Sequence, residues 1–422
     1  MSGAEVNAAE VNAAGEPGPE VVAAADEPRP EMVAAASESR SETTRVLLGF
    51  ADAFAAIESA WSLADAGHEV FAFARRGTSP PIAASRRVRI VPVTAPEDDA
   101  AACVADVVDA AQRLGATVLL PLDDLAVWVA DRTGLRVAGA TGKSADFALD
   151  KRLQVAAAED AGFAVPQRTS AGPWIVKAAL AAVEQDNKLI RPGGRSAATE
   201  ADVVAITEDL AGPVLVQELL TGTGEGVFGF ATPDGVRAWS GHRRVRMTDP
   251  RGSASSACRS ISVDEDLRKK TELLLGSVGW RGMFMLELLR DSAGTPWFME
   301  VNGRPWGSMA LAVRRGFDYP AWAVQQALDP AFVPEAPDPE PPHIVCRHLG
   351  RELIHLAAVM RGPMKDHPGP WPKRAATLAA LRPTRADRWY NLRHGERRVF
   401  WRDTWSTLKV QAARMSSKRS AS

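Results

Sequence analysis

GMFMLELLRDSAGTPWFMEVNGR, residues 282–304, decides how this sequence is read. Its apolar runs, Met283–Leu289 and Trp297–Val301, flank Asp291-Ser292-Ala293-Gly294, a turn composition that folds them into a hairpin. Side chains alternate across a strand, so Glu300 and Asn302 share one face and Glu287 can meet them from the partner strand. Three oxygen donors then converge, and hard cations such as Mg²⁺ favour such oxygens while sharing substrate phosphates. Arg304, one step further along, is placed to hold a transferring phosphoryl group or an oxyanion. Taken singly, each glutamate reads as a solvated surface charge. Inside MFMLELL and WFMEVN, however, two unpaired carboxylates are expensive to bury, and a metal would neutralise that cost.

Upstream, folded sequence starts at Arg45. Val46–Phe50 reads as a buried strand, Ala55–Ala66 as a helix stopped by Gly67, and Glu69–Phe73 as the next strand. A helix over Ala100–Leu114 and a strand over Thr117–Pro121 extend this βαβ alternation, which implies a parallel sheet covered by helices. Ligands of such sheets bind beyond the strands' carboxyl ends, where Asp123 and Asp124 fall; a helix N-cap after Pro121 explains the pair equally well. From about Ala145 the texture changes to a helix carrying Asp150 and Lys151, then short strands at Trp174–Val176, Val214–Val216 and Val227–Phe230. With the hairpin they suggest an α+β region built on antiparallel sheets.

The ends of the chain differ from this middle. Residues 1–43 are rich in Ala, Glu and Pro and repeat AEVNA and EPGPEVVAAA-like units, a composition that predicts a disordered acidic tail. A Pro-rich stretch over Asp329–Pro342 reads as a boundary, and beyond it the chain is basic and carries Trp389, Trp401 and Trp405. Such groups suit a membrane surface or a partner, but packing of the tryptophans on the body is the expectation adopted.

In bulk, 422 residues with 46% hydrophobic content can fill more than one core. A formal net charge of −2 provides no global field for nucleic acid, which is not expected as a partner. Cys103, Cys258 and Cys346 are too scattered for a disulfide framework or a zinc site and predict buried free thiols. No leader and no apolar run of about 20 residues is evident, which gives a cytoplasmic expectation. Gly142-Lys143-Ser144 ends like a Walker A loop, but Val137 occupies the position of its first glycine.

The segment over residues 282–320 resembles the closing part of ATP-grasp enzymes, especially the carbamoyl-phosphate-synthase-like group, with its strand Glu, its Glu-x-Asn-x-Arg run and a following Gly-Ser. ALDKRLQVAAAEDAGFAVP is similar to the segment that opens the ATP-grasp region, which implies nucleotide phosphate contact for Lys151; WIVKAAL implies the same for Lys177. LVQELLTGTGEGVFGF resembles the adenine hinge. The likeness implies backbone hydrogen bonds from Gln217, Glu218, Leu219 and Leu220 to the base, with Glu218 or Glu225 on the ribose. Gly193-Gly194-Arg195-Ser196 is the best candidate for the glycine-rich phosphate loop, and Arg243, Arg244 and Arg259 resemble the basic strand beside the acceptor site.

The resemblance therefore implies a pre-ATP-grasp Rossmann-like domain over 44–140, an ATP-grasp domain over 141–330 with subdomains near 141–215 and 216–330, and an extension over 331–422. It implies a carboxylate-amine ligase using ATP and Mg²⁺ or Mn²⁺. Glu287, Glu300 and Asn302 would hold metal, Lys151 and Lys177 phosphate, and Arg304, Arg244 and Arg259 the reacting groups. Small-molecule carboxylate and amine substrates are expected, and a homodimer is a reasonable assembly. Carboxylation or phosphorylation on the same scaffold, or a regulatory protein with a vestigial site, are the alternatives.

Overall fold

A computed structural model describes residues 43–250, 254–338, 340–363 and 371–420. All but the last residue of the tail expected over 1–43 lies outside these. The N-terminal part runs β1 (Arg45–Gly49), α1 (Ala56–Asp65), β2 (Glu69–Arg75), β3 (Val88–Val93), α2 (Ala100–Leu114), β4 (Val118–Pro121) and α3 (Asp124–Asp131). Its four strands form a parallel sheet in the order β3-β2-β1-β4. Alternation along β1 sends Val46 and Leu48 into the core under α1 and Leu47 into the core under α2, so helices cover both faces as expected. Helix α2 is delimited by its sequence: the Asp99 side chain accepts from the Ala102 N–H, and Gly115 ends it at φ +61°. Strand β3 was not anticipated; a proline inside VRIVPV masks it, and its position at the sheet edge tolerates that residue.

Next come α4 (Lys143–Leu149), α5 (Lys151–Asp160), β5 (Trp174–Ala178), β6 (Val183–Gln185), β7 (Lys188–Ile190), β8 (Gly194–Ala197), α6 (Glu200–Asp209) and β9 (Val214–Glu218). A small antiparallel sheet, β8-β5-β9, packs Trp174 and Val176 against Val203 and Ile206 of α6. Helix α6 starts with a full capping box between Thr199 and Asp202. The Walker-like Gly142-Lys143-Ser144 is an ordinary helix start, with the Ser144 hydroxyl bonded to the Thr141 carbonyl at 2.7 Å.

The large sheet uses β10 (Thr223–Thr232), β11 (Gly235–Met247), β12 (Ser255–Ile261), β13 (Gly282–Arg290) and β14 (Pro296–Asn302), with α7 (Glu265–Ser277) between β12 and β13. After α8 (Met309–Val313) and α9 (Tyr319–Leu328) come β15 (Val345–Arg347), α10 (Leu349–Arg361), α11 (Arg374–Ala380), β16 (Asp387–Trp389) and α12 (Arg397–Ser420). The strand order is β14-β13-β10-β11-β12-β15-β16, antiparallel except for the β15–β16 pair. Fully buried Phe284, Leu286, Leu288 and Phe298 fix the register of β13 and β14 from the core side.

The Pro-rich stretch is therefore followed by strands that continue the central sheet. Buried ion pairs hold that continuation in place: Arg347 lies 2.9 Å from both Glu352 and Asp387, and Arg246 of β11 reaches Glu352 at 2.7 Å. Glu58 of α1 bonds Arg314 and the Asn391 N–H, each at 2.8 Å, and so links the N-terminal part to the C-terminal one.

The tryptophan expectation holds only in part. Trp389 is half-buried beneath the Arg347 guanidinium, whereas Trp401 and Trp405 are each 61% exposed one turn apart on α12. The three cysteines are free and buried, and Cys258 sits opposite Cys346 in the ladder. Among the described residues no helix is long and apolar enough to cross a membrane.

Candidate functional site

The β13–β14 ladder pairs Glu287 with Glu300 and Met285 with Asn302. All three oxygen-bearing side chains therefore emerge from one face, as the alternation predicts. The turn between the strands is fixed locally: Asp291 accepts from the Ala293 and Thr295 N–H groups at 2.9 and 2.8 Å, and Gly294 takes φ +90°. Asn302 Nδ2 lies 3.5 Å from Glu300 Oε1. Among the described residues there is no cluster of three His, Cys, Asp or Glu fit for a metal; the set here is two carboxylates and an amide.

Basic groups converge on that face from four directions. Lys151, at the start of α5, places Nζ 3.1 Å from Glu300 Oε2. Arg244 of β11 forms an ion pair with Glu287 across the intervening strand. It passes over Gly224, where an added Cβ would fall 2.6 Å from Arg244 Cδ, so the missing side chain opens the arginine's path. Arg304 forks onto Asp124 at 2.7 and 3.2 Å. Lys177 of β5 completes the set from the small sheet; a Cβ added at Gly194 of the neighbouring strand would fall 3.0 Å from Lys177 Cβ.

Burial raises the Glu287 carboxyl, against the pull of Arg244. Burial pushes Glu300 the same way, but the charges of Lys151 and Arg304 outweigh it and leave the group below the usual carboxylate range. Both side chains keep some surface, 22% and 30%, so they line a wet recess and their pairs are not sealed in the core. Lys177 is held below the usual lysine range by burial and by the nearby Lys151, while Glu300 and Glu287 oppose the shift. The site thus carries two carboxylates and four cations on a compact surface, suited to a polyanion and a hard metal together.

One residue of this arrangement, Gln154, carried no signal in the sequence. Gln154, on the first turns of α5, accepts from the Val301 N–H at 2.9 Å and donates to the Val301, Phe147 and Ala148 carbonyls at 3.1, 3.0 and 3.0 Å. This buried amide clamps α5 to β14 and so sets Lys151 against Glu300. Asp123 and Asp124 divide the two roles open to them. Asp123 caps α3 and pairs with Arg191 at 3.0 Å, while Asp124 steadies Arg304.

Other expected residues sit elsewhere. Arg259 pairs in register with Arg243, one position out of phase with Arg244, and therefore lies exposed on the opposite face of the sheet. Glu225 is out of phase in the same way. It is only 1% exposed and braced by Arg243 and Arg290 at 2.5 and 2.8 Å, a strut between strands on the face opposite Glu287. In the hinge, the Glu218 and Leu219 N–H groups already donate to the Gln167 and Pro173 carbonyls at 2.8 and 3.0 Å. Gln217 is bonded through Nε2 to the Pro166 carbonyl at 2.9 Å. Only the Leu220 N–H of the last three hinge residues is left without a partner among the described residues, and the half-buried Glu218 side chain remains beside it. Of the candidate phosphate loop Gly193-Gly194-Arg195-Ser196, the last three residues lie in the edge strand β8.

His242 faces the site from β11. Its Nδ1 meets the Ser308 hydroxyl at 2.7 Å, and burial together with the Arg244 charge pushes it down to about 3, so the ring is neutral near pH 7.

No family model matches the chain, and no curated protein does. Solved structures do. An L-amino acid ligase from Bacillus licheniformis is 15% identical over 69% of this chain and 76% of its own, with a TM-score of 0.50. The biotin carboxylase domain of Hydrogenobacter thermophilus 2-oxoglutarate carboxylase, solved as a dimer with MgADP, ADP and bicarbonate, is 12% identical over 72% and 73%, with a TM-score of 0.55. Campylobacter jejuni biotin carboxylase, solved as a β,γ-ATP complex, is 12% identical over 72% and 75%, with a TM-score of 0.54. These are ATP-grasp structures, and the chain has the ATP-grasp fold.

Proposed function

We propose that this ATP-grasp chain is an ATP-dependent carboxylate-amine ligase. The observation that carries the reading is the convergence of Glu287, Glu300 and Asn302 on one hairpin face within a ring of Lys151, Lys177, Arg244 and Arg304. The nucleotide-bound neighbours support the use of ATP, and the likeness to an L-amino acid ligase supports the transfer to an amine.

Mg²⁺ fits the hard oxygen set of Glu287, Glu300 and Asn302, and when bound it would offset the charge of the phosphate oxygens. Lys151, which pairs with Glu300 here, would be free to hold phosphate where that carboxylate serves a metal. Lys177, partly desolvated, holds its ammonium against the phosphate chain. Arg304, kept charged and oriented by Asp124, steadies the transferring phosphoryl group. Glu218 and the Leu220 N–H are the hinge groups left to receive the nucleoside. A carboxylate oxygen attacks the γ-phosphorus and ADP leaves. The amine nitrogen then attacks the acyl carbon, phosphate leaves, and the nitrogen gives up a proton.

Arg259 and Glu225 have no part in these steps. A carboxylation chemistry is the second reading, favoured by the biotin carboxylase likeness. ADP release measured over a grid of carboxylates, amines and bicarbonate tests both. The ligase reading expects release only when an acid and an amine are present together; release with bicarbonate and no amine contradicts it.

A further inference from the structure

A groove of about 1370 Å³ runs between the first βα loop of the N-terminal sheet and helices α10 and α12. It exceeds the roughly 300–1,000 Å³ of ordinary small-molecule sites. Its lining is largely apolar, with Phe54 on one side and Ile354, Ala357, Leu408 and Val410 on the other. Polar groups, among them Asp52, Asp249, Arg361, Asp403 and Arg414, line its margins, and Arg351 stands beside Phe54. This largely buried guanidinium stacks on Phe54 with Cζ 3.5 Å from the ring centroid and donates to the Ser255 carbonyl at 3.0 Å. Among the described residues it pairs with no carboxylate. Asp52 is taken by Arg75, and Asp403 by His348 and Asn391.

A buried cation with no direct ion pair is costly, and burial pulls Arg351 down to about 10, with Asp403 opposing the shift and Arg244 adding to it. Arg351 lies within electrostatic reach of the arginine that pairs with Glu287, and Phe54 packs beside Gly307, three residues beyond Arg304. Phe54, at one end of the groove, therefore lies beside the segment that follows Arg304.

We propose that this groove binds the acid substrate, an organic carboxylate with a large apolar body, whose carboxylate is received by Arg351. The assignment of that carboxylate as the one to be activated rests on the ligase reading; the binding itself does not. The guanidinium supplies charge-assisted hydrogen bonds, and the apolar walls supply affinity in proportion to the surface covered. A small polar acid leaves most of the groove empty.

The test is calorimetric titration of butanoate, hexanoate and octanoate into the full chain without nucleotide. Affinity rises about fourfold per methylene, the scale of methylene burial. Arg351→Gln weakens octanoate binding at least tenfold and leaves 1-octanol binding unchanged. Ala357→Trp, which fills the groove and removes no charge, weakens both ligands and leaves the melting temperature unchanged. Equal affinity for butanoate and octanoate, or octanoate binding indifferent to Arg351→Gln, overturns the proposal. If octanoate binds as described and no acid and amine pair releases ADP, the ligase reading fails and the groove stands. If acids and amines release ADP with a KM untouched by Arg351→Gln, the groove fails and the ligase reading stands.

Discussion

The β13–β14 hairpin and the β11–β12 ribbon lie in one sheet, yet they are built by different means. In the hairpin, register comes from a local turn and an apolar core face, and it delivers Glu287, Glu300 and Asn302 to one surface. In the ribbon, bulges between Arg244 and Met247 shift the ladder, and the basic residues divide between the two faces. Arg244 reaches Glu287, whereas Arg243 and Arg259 turn away from it. A row of arginines in sequence is thus a poor guide to a site, because a single step along a strand decides which face a charge serves.

Stability measured by urea unfolding separates the two regions, and the hairpin side holds the largest expected effect. Gln154→Leu removes the clamp between α5 and β14 and strands buried backbone groups at Val301, Phe147 and Ala148. The expected loss is at least about 3 kcal/mol, since each abandoned buried group costs about 1–3 kcal/mol. A change below 1 kcal/mol would break the link between Gln154 and the placing of Lys151.

On the ribbon, His242 introduces a pH dependence. Its folded-state value is depressed from 6.5 to about 3, so below pH 6.5 the unfolded chain takes up a proton that the folded chain refuses. The contribution is complete above pH 6.5 and is lost toward pH 3, at up to about 1.4 kcal/mol per pH unit. His242→Gln flattens the stability profile across that window; an unchanged slope shows that the ring is not held neutral. The smallest effect falls on the outward face. Arg259→Ala should alter stability by no more than about 0.5 kcal/mol, the usual range for such surface changes, and leave ATP turnover within twofold. A large loss of turnover would return Arg259 to the site.

What could be read from the sequence follows the same division. The hairpin, the βαβ alternation and the metal-type face depend on contacts within about twenty residues, where alternation and turn chemistry act directly. Arg304 with Asp124, and Gln154 with Val301, span gaps of 180 and 147 residues, and nothing local marks either pair. The C-terminal strands escaped for the same reason. Beta15 and β16 are three residues each, and the buried Arg347–Glu352–Asp387 network that fixes them looks in sequence like ordinary surface charge. The hinge misled in another way: its residue types fit, but two of its N–H groups are spent inside the fold.

The most direct test of the account is the turnover of Glu300→Gln under Mg²⁺ and ATP, with the acid and amine that support ADP release in the parent chain. The substitution keeps the shape of the side chain and removes the charge that meets Lys151 and the proposed metal. A fall in turnover of at least about 100-fold, with the melting transition retained, is the predicted result. Near-normal turnover would contradict the assignment of this hairpin face as the metal and phosphate site.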